Sequence, residues 1–311
     1  MNRLLDASAV EAAMSTVFAE LGHGSAASTI RVRAEADGAM ASAMAAAIPS
    51  LGVSGGKVYS TVDGRFTFVV VLFDLDGHVL CTLDGSALTE ARTAALTGVV
   101  VDRLAPEKSA VAAVLGTGRE AIPHIDMLSR RSTFESIRLW GRNPANAVDL
   151  ANQCVERGID VTAAQTSSDA VHDADVVITV TSADQPIVDD AAIASNALVC
   201  GIGATKARRC ELPPDLFGRA AAVLTDSPDG ARSECGDLIH AVAARTFSWD
   251  RLLGLADLLA GAAHVERARP GAPVVFESQG VAAQDIAAAA LAWHAFTESV
   301  GDPTSPNKPT H

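Results

Sequence analysis

The chain has 311 residues, of which 49% are hydrophobic and 20% charged, and its formal net charge is −13. This length and composition predict a globular protein with room for two domains. The negative charge argues against nucleic acid or an anionic membrane as a partner, because both require a concentrated basic surface. Apolar stretches stay well short of the roughly 18 residues that a membrane span requires. Met1 leads directly into a helical pattern, so no secretory or transit segment is expected.

The cysteines and histidines indicate neither disulfides nor metal. The five cysteines are scattered and form no C-x-x-C pair, which is typical of reduced, mostly buried thiols in a cytoplasmic protein. The eight histidines show no ligand spacing, so we predict no metal site. His124 and His172 are interpreted as residues on helix surfaces.

The first third of the chain changes from a helical pattern to short strands. Asp6 can cap a helix over 7–21, which is expected to end at Gly22–Gly24. Strands are predicted at 30–33, 56–61, 66–72 and 78–83, with Asp-Gly turns at 63–64 and 76–77. The pattern therefore predicts an antiparallel meander, although 34–51 is compatible with a strand and loop or with a helical turn. A helix over 89–104 then leads to Pro106.

The stretch Ser109–Asn143 is a predicted β-α-β unit. The short apolar run Ala110–Leu115 is typical of a strand buried on both faces. Gly116, Gly118 and Ala121 follow in the order G-x-G-x-x-A, which allows a tight turn, close approach of a pyrophosphate and packing of a helix on the strand. The N-terminus of that helix would hold the phosphates. The unit therefore predicts a dinucleotide site.

The end of the second strand indicates which dinucleotide is preferred. Ile137–Trp140 is followed by Gly141, Arg142 and Asn143, where NAD-binding domains usually carry an acidic residue for the ribose hydroxyls. A guanidinium and an amide instead offer donors to a 2′-phosphate, which predicts NADPH, with NADH bound more weakly. The alternative is that Arg142 is simply an exposed loop residue.

The remainder of the chain continues the alternation of strands and helices. Further strands are predicted at 159–164, 175–181, 197–201 and 220–224, which predicts a parallel Rossmann-type sheet. We then predict a helix carrying Leu252 to Leu259, a linker at 267–273, a strand at 274–277 and a helix at 282–298. The Pro- and Ser-rich composition from 301 to 311 predicts a disordered tail.

The predicted fold class is α/β with two domains. An α+β domain for substrate binding and dimerisation comprises 1–107 plus 274–311, because the last strand and helix are expected to return to the N-terminal meander. The NADP-binding Rossmann domain comprises 108–273. We expect the catalytic cleft between the two domains.

Six blocks of sequence carry a resemblance to a known family. They read, in chain order, LDGSALTEARTAALTG at 83–98, LGTGREAIPHI at 115–125, LWGRNPANA at 139–147, ADVVITVTSADQPIV at 174–188, GIGATKARRCEL at 201–212 and ESQGVAAQDIAAA at 277–289. The chain resembles the ornithine cyclodeaminase and μ-crystallin family over nearly its whole length. The resemblance implies a homodimer joined through the N-terminal sheets, a nicotinamide cofactor, and a small imino- or amino-acid substrate.

The same resemblance implies roles for individual residues. Arg31, Lys57 and Arg92 match the positions that bind the substrate carboxylate, although Arg33 remains an alternative to Arg31 because it would point the same way from a strand. Gly280 is expected to line the pocket. The cofactor-binding residues are predicted to be Gly116, Thr117, Gly118, Arg119, Glu120, Arg142, Asn143, Thr181 and Ser182. Arg119-Glu120 depart from the uncharged residue and glutamine of many relatives.

Thr205 is the most informative departure from the family pattern. Cyclodeaminases carry an aspartate here that acts on water, and a threonine cannot take up a proton in that way. The reductase branch is therefore favoured, and the prediction is NADPH-dependent reduction of Δ1-pyrroline-2-carboxylate or Δ1-piperideine-2-carboxylate. Lys57, a water held by Thr205, or solvent is the expected proton donor. The alternatives are an open-chain amino-acid dehydrogenase, an ornithine or lysine cyclodeaminase, and a non-catalytic NADPH-binding protein.

Overall fold

The computed structural model describes residues 4–62, 65–265 and 272–300. The chain forms two compact units. The first unit comprises Met1–Arg92 and Val281–His311, and the second comprises Thr93–Gly280.

Helices and strands occupy most of the described residues. The helices are α1 Ala7–His23, α2 Gly85–Leu104, α3 Ala121–Ser129, α4 Pro144–Glu156, α5 Ser167–Val171, α6 Pro214–Arg219, α7 Pro228–Glu234, α8 Gly236–Ala243, α9 Leu255–Leu259 and α10 Ala282–Val300. The strands are β1 Ala27–Ser28, β2 Val32–Ala36, β3 Ala39–Ile48, β4 Val53–Val62, β5 Arg65–Asp74, β6 Val79–Asp84, β7 Val111–Leu115, β8 Ser136–Trp140, β9 Val161–Ala163, β10 Val176–Thr179, β11 Leu198–Gly201, β12 Ala222–Thr225, β13 Leu252–Gly254 and β14 Val274–Glu277. None of the helices in the described ranges is sufficiently long and apolar to cross a lipid bilayer.

The first unit is an antiparallel sheet with helices on one face. Its strands follow the order β1-β3-β4-β5-β6, and β2 pairs with β3. Helix α10 packs on β3, β4 and β5 and also contacts α1. Asp6 caps α1 by accepting a hydrogen bond from the Ala9 amide at 2.9 Å. The predicted antiparallel sheet is thus confirmed, whereas the predicted turn at 63–64 lies outside the described residues.

The structure settles the segment that sequence left open at 34–51. It contains the end of β2, all of β3 and a short 3-10 turn at Pro49–Leu51. Every second side chain of β3 is buried, from Met40 to Ile48, so the segment follows the two-residue period of a strand despite its alanines.

The second unit is a parallel sheet of the Rossmann type. Its strand order is β13-β12-β14-β11-β10-β7-β8-β9, and the paired neighbours run parallel. The central strands β10 and β11 are buried at every position, as strands covered on both faces should be. The predicted Rossmann-type sheet is therefore confirmed.

Two predicted placements were wrong. Strand β14 does not return to the antiparallel sheet, because it pairs in parallel between β11 and β12. All four residues of β14 are buried, which suits the middle of a parallel sheet. Of the two elements that were predicted to return to the antiparallel sheet, α10 packs on it and β14 does not. The predicted leucine-rich helix begins late, because Leu252–Gly254 forms β13 and pairs with β12. The predicted linker at 267–273 lies mostly outside the described residues, and the tail from 301 lies wholly outside them.

The histidine prediction was correct for one residue only. His172 is exposed, but His124 is fully buried on α3. Its Nε2 lies 3.1 Å from the Thr97 hydroxyl and its Nδ1 lies 2.6 Å from the Glu120 carbonyl oxygen. Burial lowers the pKa of His124 to about 4, so the ring is a neutral core residue.

Candidate active site

Three buried side chains form a charge cluster in the first unit: Lys57 on β4, Arg92 on α2 and Asp285 on α10. The Lys57 Nζ lies 2.9 Å from Asp285 Oδ1, and the Arg92 Nε lies 3.3 Å from the same oxygen. Lys57 also donates to the Thr89 hydroxyl at 2.6 Å, and Arg92 donates to the Gln284 side-chain oxygen. We refer to Lys57, Arg92 and Asp285 as the charge cluster.

Close packing of α10 on β4 brings the charge cluster together. A side chain at Gly55 would place its Cβ 2.3 Å from the Val71 carbonyl oxygen and 2.7 Å from Ile286 Cδ1, so only glycine fits there. Ile286 is the next residue after Asp285 on α10, and the residues from Ala282 to Ala290 are all buried. The small alanines let the helix approach the strand, and Asp285 is the charged residue within that apolar run.

The charges in the cluster perturb one another. Burial lowers the pKa of Lys57 to about 8, the neighbouring Asp285 opposes this shift, and the positive charges of Arg92 and Arg31 add to it. Burial by itself would raise the pKa of Asp285, but the charges of Arg92 and Lys57 and their hydrogen bonds outweigh it, so that pKa is lowered. Asp285 is therefore a buried carboxylate at neutral pH.

Arg31 and Arg33 differ in their surroundings. Arg31 precedes β2, is partly buried, and places a terminal guanidinium nitrogen 4.0 Å from Met44 Sδ. Met44 pairs directly with Lys57 across β3 and β4. Arg33 lies on β2 and is exposed. The first unit thus brings Arg31, Lys57 and Arg92 into one electrostatic environment.

The predicted glycine turn in the second unit has the geometry that a dinucleotide requires. Gly116 has φ +131°, and a Cβ there would lie 2.6 Å from the Val180 carbonyl oxygen, so a side chain is excluded. A Cβ on Gly141 would lie 2.6 Å from Thr117 Cγ2. By contrast, Gly118 is exposed with open space where a side chain would stand, which leaves the backbone accessible to a phosphate. The turn before α3 therefore fits the pyrophosphate of a nicotinamide dinucleotide.

The other predicted cofactor residues surround the same carboxyl edge of the sheet. Arg119 is exposed, whereas Glu120 is half-buried immediately before α3. Arg142 is exposed after β8, and Asn143 caps α4, because its side-chain oxygen accepts from the Ala145 amide at 3.1 Å. Thr181 and Ser182 follow β10, and the Ser182 carbonyl oxygen accepts from Arg209. The side-chain oxygen of Asn143 is therefore already used to cap α4.

Thr205 and Gly280 lie in loops of the second unit. Thr205 is half-buried after β11, and its amide donates to the Gly203 carbonyl oxygen at 2.9 Å. Gly280 is buried with φ +76°, and its amide donates to Asp226 Oδ2 at 2.8 Å. A left-handed backbone is an independent reason for glycine at this position.

Sequence reasoning missed three buried acidic residues at the carboxyl edge of the parallel sheet. We refer to Glu211, Asp237 and Glu277 as the carboxyl cluster. Glu211 accepts hydrogen bonds from the Thr181 amide at 2.5 Å and the Gly203 amide at 2.7 Å. Asp237 Oδ1 accepts from the Glu211 amide at 2.7 Å. Glu277 is the last residue of β14 and is fully buried.

Ionisation of the carboxyl cluster is unfavourable, because its members are buried beside groups of like charge. In the charge cluster, by contrast, Asp285 lies beside two cations. Burial and the nearby Glu211 raise the pKa of Asp237 to about 7. Burial, with the Asp237 charge, raises the pKa of Glu277 well above its usual value. Burial also raises the pKa of Glu211, although hydrogen bonds from Thr181 and Gly203 oppose the shift. The sequence did contain a signal for these residues, because an acidic residue beside an apolar run is placed where burial is expected. Charged residues are seldom buried without a partner, so such a position indicates a special role.

One group of possible metal ligands occurs among the described residues. Asp74, Asp76 and His78 lie close together at the turn between β5 and β6. His78 is exposed and already bonds to Asp74, through its amide at 2.8 Å and its ring Nδ1 at 3.0 Å. We assign no metal to this turn.

Comparison with known proteins identifies the family. The model of the ornithine cyclodeaminase/mu-crystallin family matches residues 6–299. The chain belongs to this family. The ketimine reductase mu-crystallin of Mus musculus is 32% identical to this member over 231 residues, which are 73% of this chain and 69% of the mouse protein. The Δ1-pyrroline-2-carboxylate reductase 2 of Burkholderia ambifaria is 35% identical over 213 residues, which are 68% of this chain and 64% of that protein.

A solved structure with the same fold comes from Thermococcus litoralis. It is a Δ1-pyrroline-2-carboxylate reductase in complex with NADH and L-proline, and it superimposes on this family member with a TM-score of 0.90. The match covers 96% of this chain and 95% of that chain at 23% identity. The predicted enzyme class, an NAD(P)H-dependent oxidoreductase that acts on C=N bonds, is confirmed by the two named sequence relatives, which are both reductases of such bonds.

Proposed function

We propose that this enzyme is an NADPH-preferring reductase of small cyclic ketimine carboxylates. Its substrates would be Δ1-pyrroline-2-carboxylate, giving L-proline, and Δ1-piperideine-2-carboxylate, giving L-pipecolate. The observation that carries the proposal is the charge cluster, in which Lys57 and Arg92 are buried around one carboxylate with the charge of Arg31 nearby. The excess of positive charge suits the carboxylate of such a substrate.

The reaction proposed for the site is transfer of one hydride and one proton to the C=N bond. The bound dihydronicotinamide would supply the hydride to the imine carbon, and the C=N electron pair would move to nitrogen, which carries the proton. Arg31 and Arg92 would fix the substrate carboxylate, so that orientation supplies most of the rate enhancement. The nitrogen needs its proton because a neutral imine is a weaker hydride acceptor.

Lys57 is the proton donor favoured by the electrostatics of the site. Its pKa of about 8 lies close to the pH of a neutral solution, where a general acid is most effective. Thr205, through a bound water, and solvent remain the alternatives. If Lys57 is the donor, kcat/KM for imine reduction should fall as the pH rises above about 8, because the ammonium form is then lost.

The decisive experiment follows the oxidation of NADPH with a panel of substrates. The panel contains the two cyclic ketimines, pyruvate with ammonia or amines, and ornithine. Reduction of the cyclic ketimines with the highest kcat/KM would support the proposal. Preferential turnover of pyruvate with amines would identify an open-chain amino-acid dehydrogenase. Release of ammonia from ornithine without net NADPH oxidation would identify a cyclodeaminase, and binding of NADPH without any turnover would identify a non-catalytic protein.

The proposed preference for NADPH rests on Arg142. Its guanidinium is exposed directly after β8, at the position where an acidic residue would bind the ribose of NAD. Arg142→Ala should raise the Kd for NADPH about tenfold and leave the Kd for NADH nearly unchanged. Arg103→Ala, which removes another exposed charge, at the end of α2, is the control. An equal effect of Arg142→Ala on both cofactors would remove the argument for a 2′-phosphate contact.

A homodimer is proposed on a separate observation in the first unit. Val32, Ala43, Val58 and Val69 follow one another across β2, β3, β4 and β5 in direct register. The three valines are 60%, 53% and 41% exposed, so they form an apolar row on the face opposite α10. A second copy of the chain would remove this row from water.

Sedimentation velocity tests the dimer. Val58→Glu should convert it to a monomer, because a carboxylate would be buried in the apolar row. Val148→Glu places the same charge at an exposed position of α4 in the second unit and serves as the control. A wild-type chain that sediments as a monomer would remove the proposal.

A further inference from the structure

The two oxygens of Asp285 differ in their hydrogen bonds. Oδ1 accepts from Lys57 at 2.9 Å and from Arg92 at 3.3 Å. Oδ2 is buried and accepts no hydrogen bond from any part of the chain that the structure describes. The whole residue is 0% exposed.

An ionised carboxylate oxygen in that position requires a donor. Buried polar groups in proteins are paired almost without exception, and those that are not need a specific explanation. Asp285 cannot satisfy Oδ2 by becoming protonated at neutral pH, because its pKa is lowered by Arg92 and Lys57 despite burial. No residue that the structure describes supplies this donor. A bound ligand with an N–H group would supply it, and the negative charge of Asp285 favours a positively charged donor.

We propose that Asp285 is a substrate-binding residue whose Oδ2 accepts a hydrogen bond from the N–H of the protonated cyclic imine, while Oδ1 holds Lys57 and Arg92 in place. The proposal rests on the proposed function, in that the ligand is taken to be a cyclic imine carboxylate. It explains why a carboxylate stands among the cations that bind another carboxylate. Without Asp285 the site would suit any small anion.

The charges of the site and the ligand then match group by group. The ligand carboxylate meets Arg92 and Arg31, and the positive nitrogen meets Asp285, beside the Lys57 that would deliver its proton. Charge-assisted hydrogen bonds of this kind are roughly twice as strong as neutral ones. A negative charge beside the nitrogen also favours the protonated imine, the form that accepts hydride. Asp285 keeps its charge throughout and transfers no proton.

A pair of inhibitors tests the proposal on the wild-type enzyme. Pyrrole-2-carboxylate and furan-2-carboxylate share ring size, planarity and the carboxylate, but only the pyrrole carries an N–H. Inhibition constants and calorimetric Kd values should show the pyrrole binding about tenfold more tightly, because the furan oxygen would face Oδ2. Equal affinities, or tighter binding of the furan, would overturn the proposal whether or not Asp285 variants fold.

Asp285→Asn then assigns the effect to this residue. The asparagine oxygen would remain with Lys57 and Arg92, since both are donors, so the amide NH₂ would face the ligand. The preference for pyrrole should disappear. Gln284→Met is the matched control, because it removes an acceptor of Arg92 but leaves Asp285 in place. It should weaken both ligands by similar factors and retain the preference.

A pH profile supplies a readout that a purely structural role would not change. Asp285 raises the pKa of Lys57 in the wild type, so Asp285→Asn should move the alkaline fall in kcat/KM to a pH below about 8. An unchanged profile together with a retained preference for pyrrole would reject the assignment of Asp285. A preference for pyrrole in a wild-type enzyme that reduces no cyclic imine would support the assignment of Asp285 and reject the proposed function.

Discussion

Asp285 in the first unit and Glu277 in the second are both fully buried carboxyl groups, yet their pKa values move in opposite directions. Burial raises the pKa in both cases. Asp285 has Lys57 and Arg92 beside it, and their charges reverse the effect. Glu277 instead has Asp237 nearby, which adds to the effect of burial. The sign of the neighbouring charge, rather than burial, therefore decides whether a buried carboxyl in this protein is ionised.

The two clusters consequently suit different tasks. The charge cluster keeps formal charges out of water, where their desolvation offsets most of what the ion pairs contribute to stability. The carboxyl cluster connects loops instead, since Glu211 accepts from the amides of Thr181 and Gly203, which follow β10 and β11. The loop after β10 also carries the proposed cofactor residues Thr181 and Ser182. We infer that the charge cluster recognises the substrate and that the carboxyl cluster supports the cofactor site.

The largest expected effect follows from breaking the charge cluster at Arg92. Arg92→Met keeps the apolar stem but removes the guanidinium, so kcat/KM for the cyclic imine should fall about 10³-fold, because the carboxylate is no longer oriented. The Kd for NADPH should be unchanged, as the glycine turn is intact. Steady-state kinetics and fluorescence titration measure the two quantities.

Arg33→Met is the control for that substitution. It removes the same charge from an exposed position on β2 and should leave kcat/KM within about twofold of the wild type. A fully active Arg92→Met enzyme would exclude Arg92 from substrate binding. An inactive Arg33→Met enzyme would return Arg33 to the carboxylate site in place of Arg31.

The second expected effect concerns stability and compares the two clusters directly. Asp285→Asn leaves two buried cations with a neutral partner, which should lower the free energy of unfolding by about 3–5 kcal/mol at neutral pH. Glu277→Gln replaces a carboxyl whose pKa is already raised well above its usual value, so the change should stay within about 1 kcal/mol. Denaturant unfolding of both variants in one buffer tests the contrast, and equal losses would contradict it.

The sequence predicted the parts of the protein that depend on local pattern. The G-x-G-x-x-A turn is an example, because the backbone of the turn itself requires glycine at Gly116. The family resemblance pointed to Arg31, Lys57 and Arg92, which the first unit brings into one environment. Strand β3 is an intermediate case, since its two-residue burial period is hidden by a run of alanines.

The missed residues depend on contacts between distant parts of the chain. Asp285 and Lys57 are 228 residues apart, and no local pattern indicates that they form an ion pair. Similarly, Asp237 meets the Glu211 backbone only after α8 has packed beside the parallel sheet. Strand β14 was misplaced for the same reason, because its hydrophobic pattern fits either sheet and only the pairing with β11 and β12 decides between them.

The last expected effect is the smallest when it is taken per pH unit, and it compares the two clusters through their pH dependence. The folded-state pKa of Asp237 is raised from 3.8 to about 7, so the folded protein holds a proton that the unfolded chain releases between these values. The stabilising contribution is complete below pH 3.8 and is lost as the pH rises through about 7. As the pH rises across that window, Asp237 should lower the free energy of unfolding by about 1.4 kcal/mol per pH unit.

Asp237→Asn should flatten this dependence, because the amide keeps an oxygen for the Glu211 and Leu212 amides but does not titrate. Asp229→Asn, at an exposed position in the first turn of α7, should leave the slope as in the wild type. The measurement is the free energy of unfolding at intervals between pH 4 and 7 for all three proteins. If Asp237→Asn retains the wild-type slope, Asp237 is ionised when folded, and the carboxyl cluster then requires a cation as the charge cluster does.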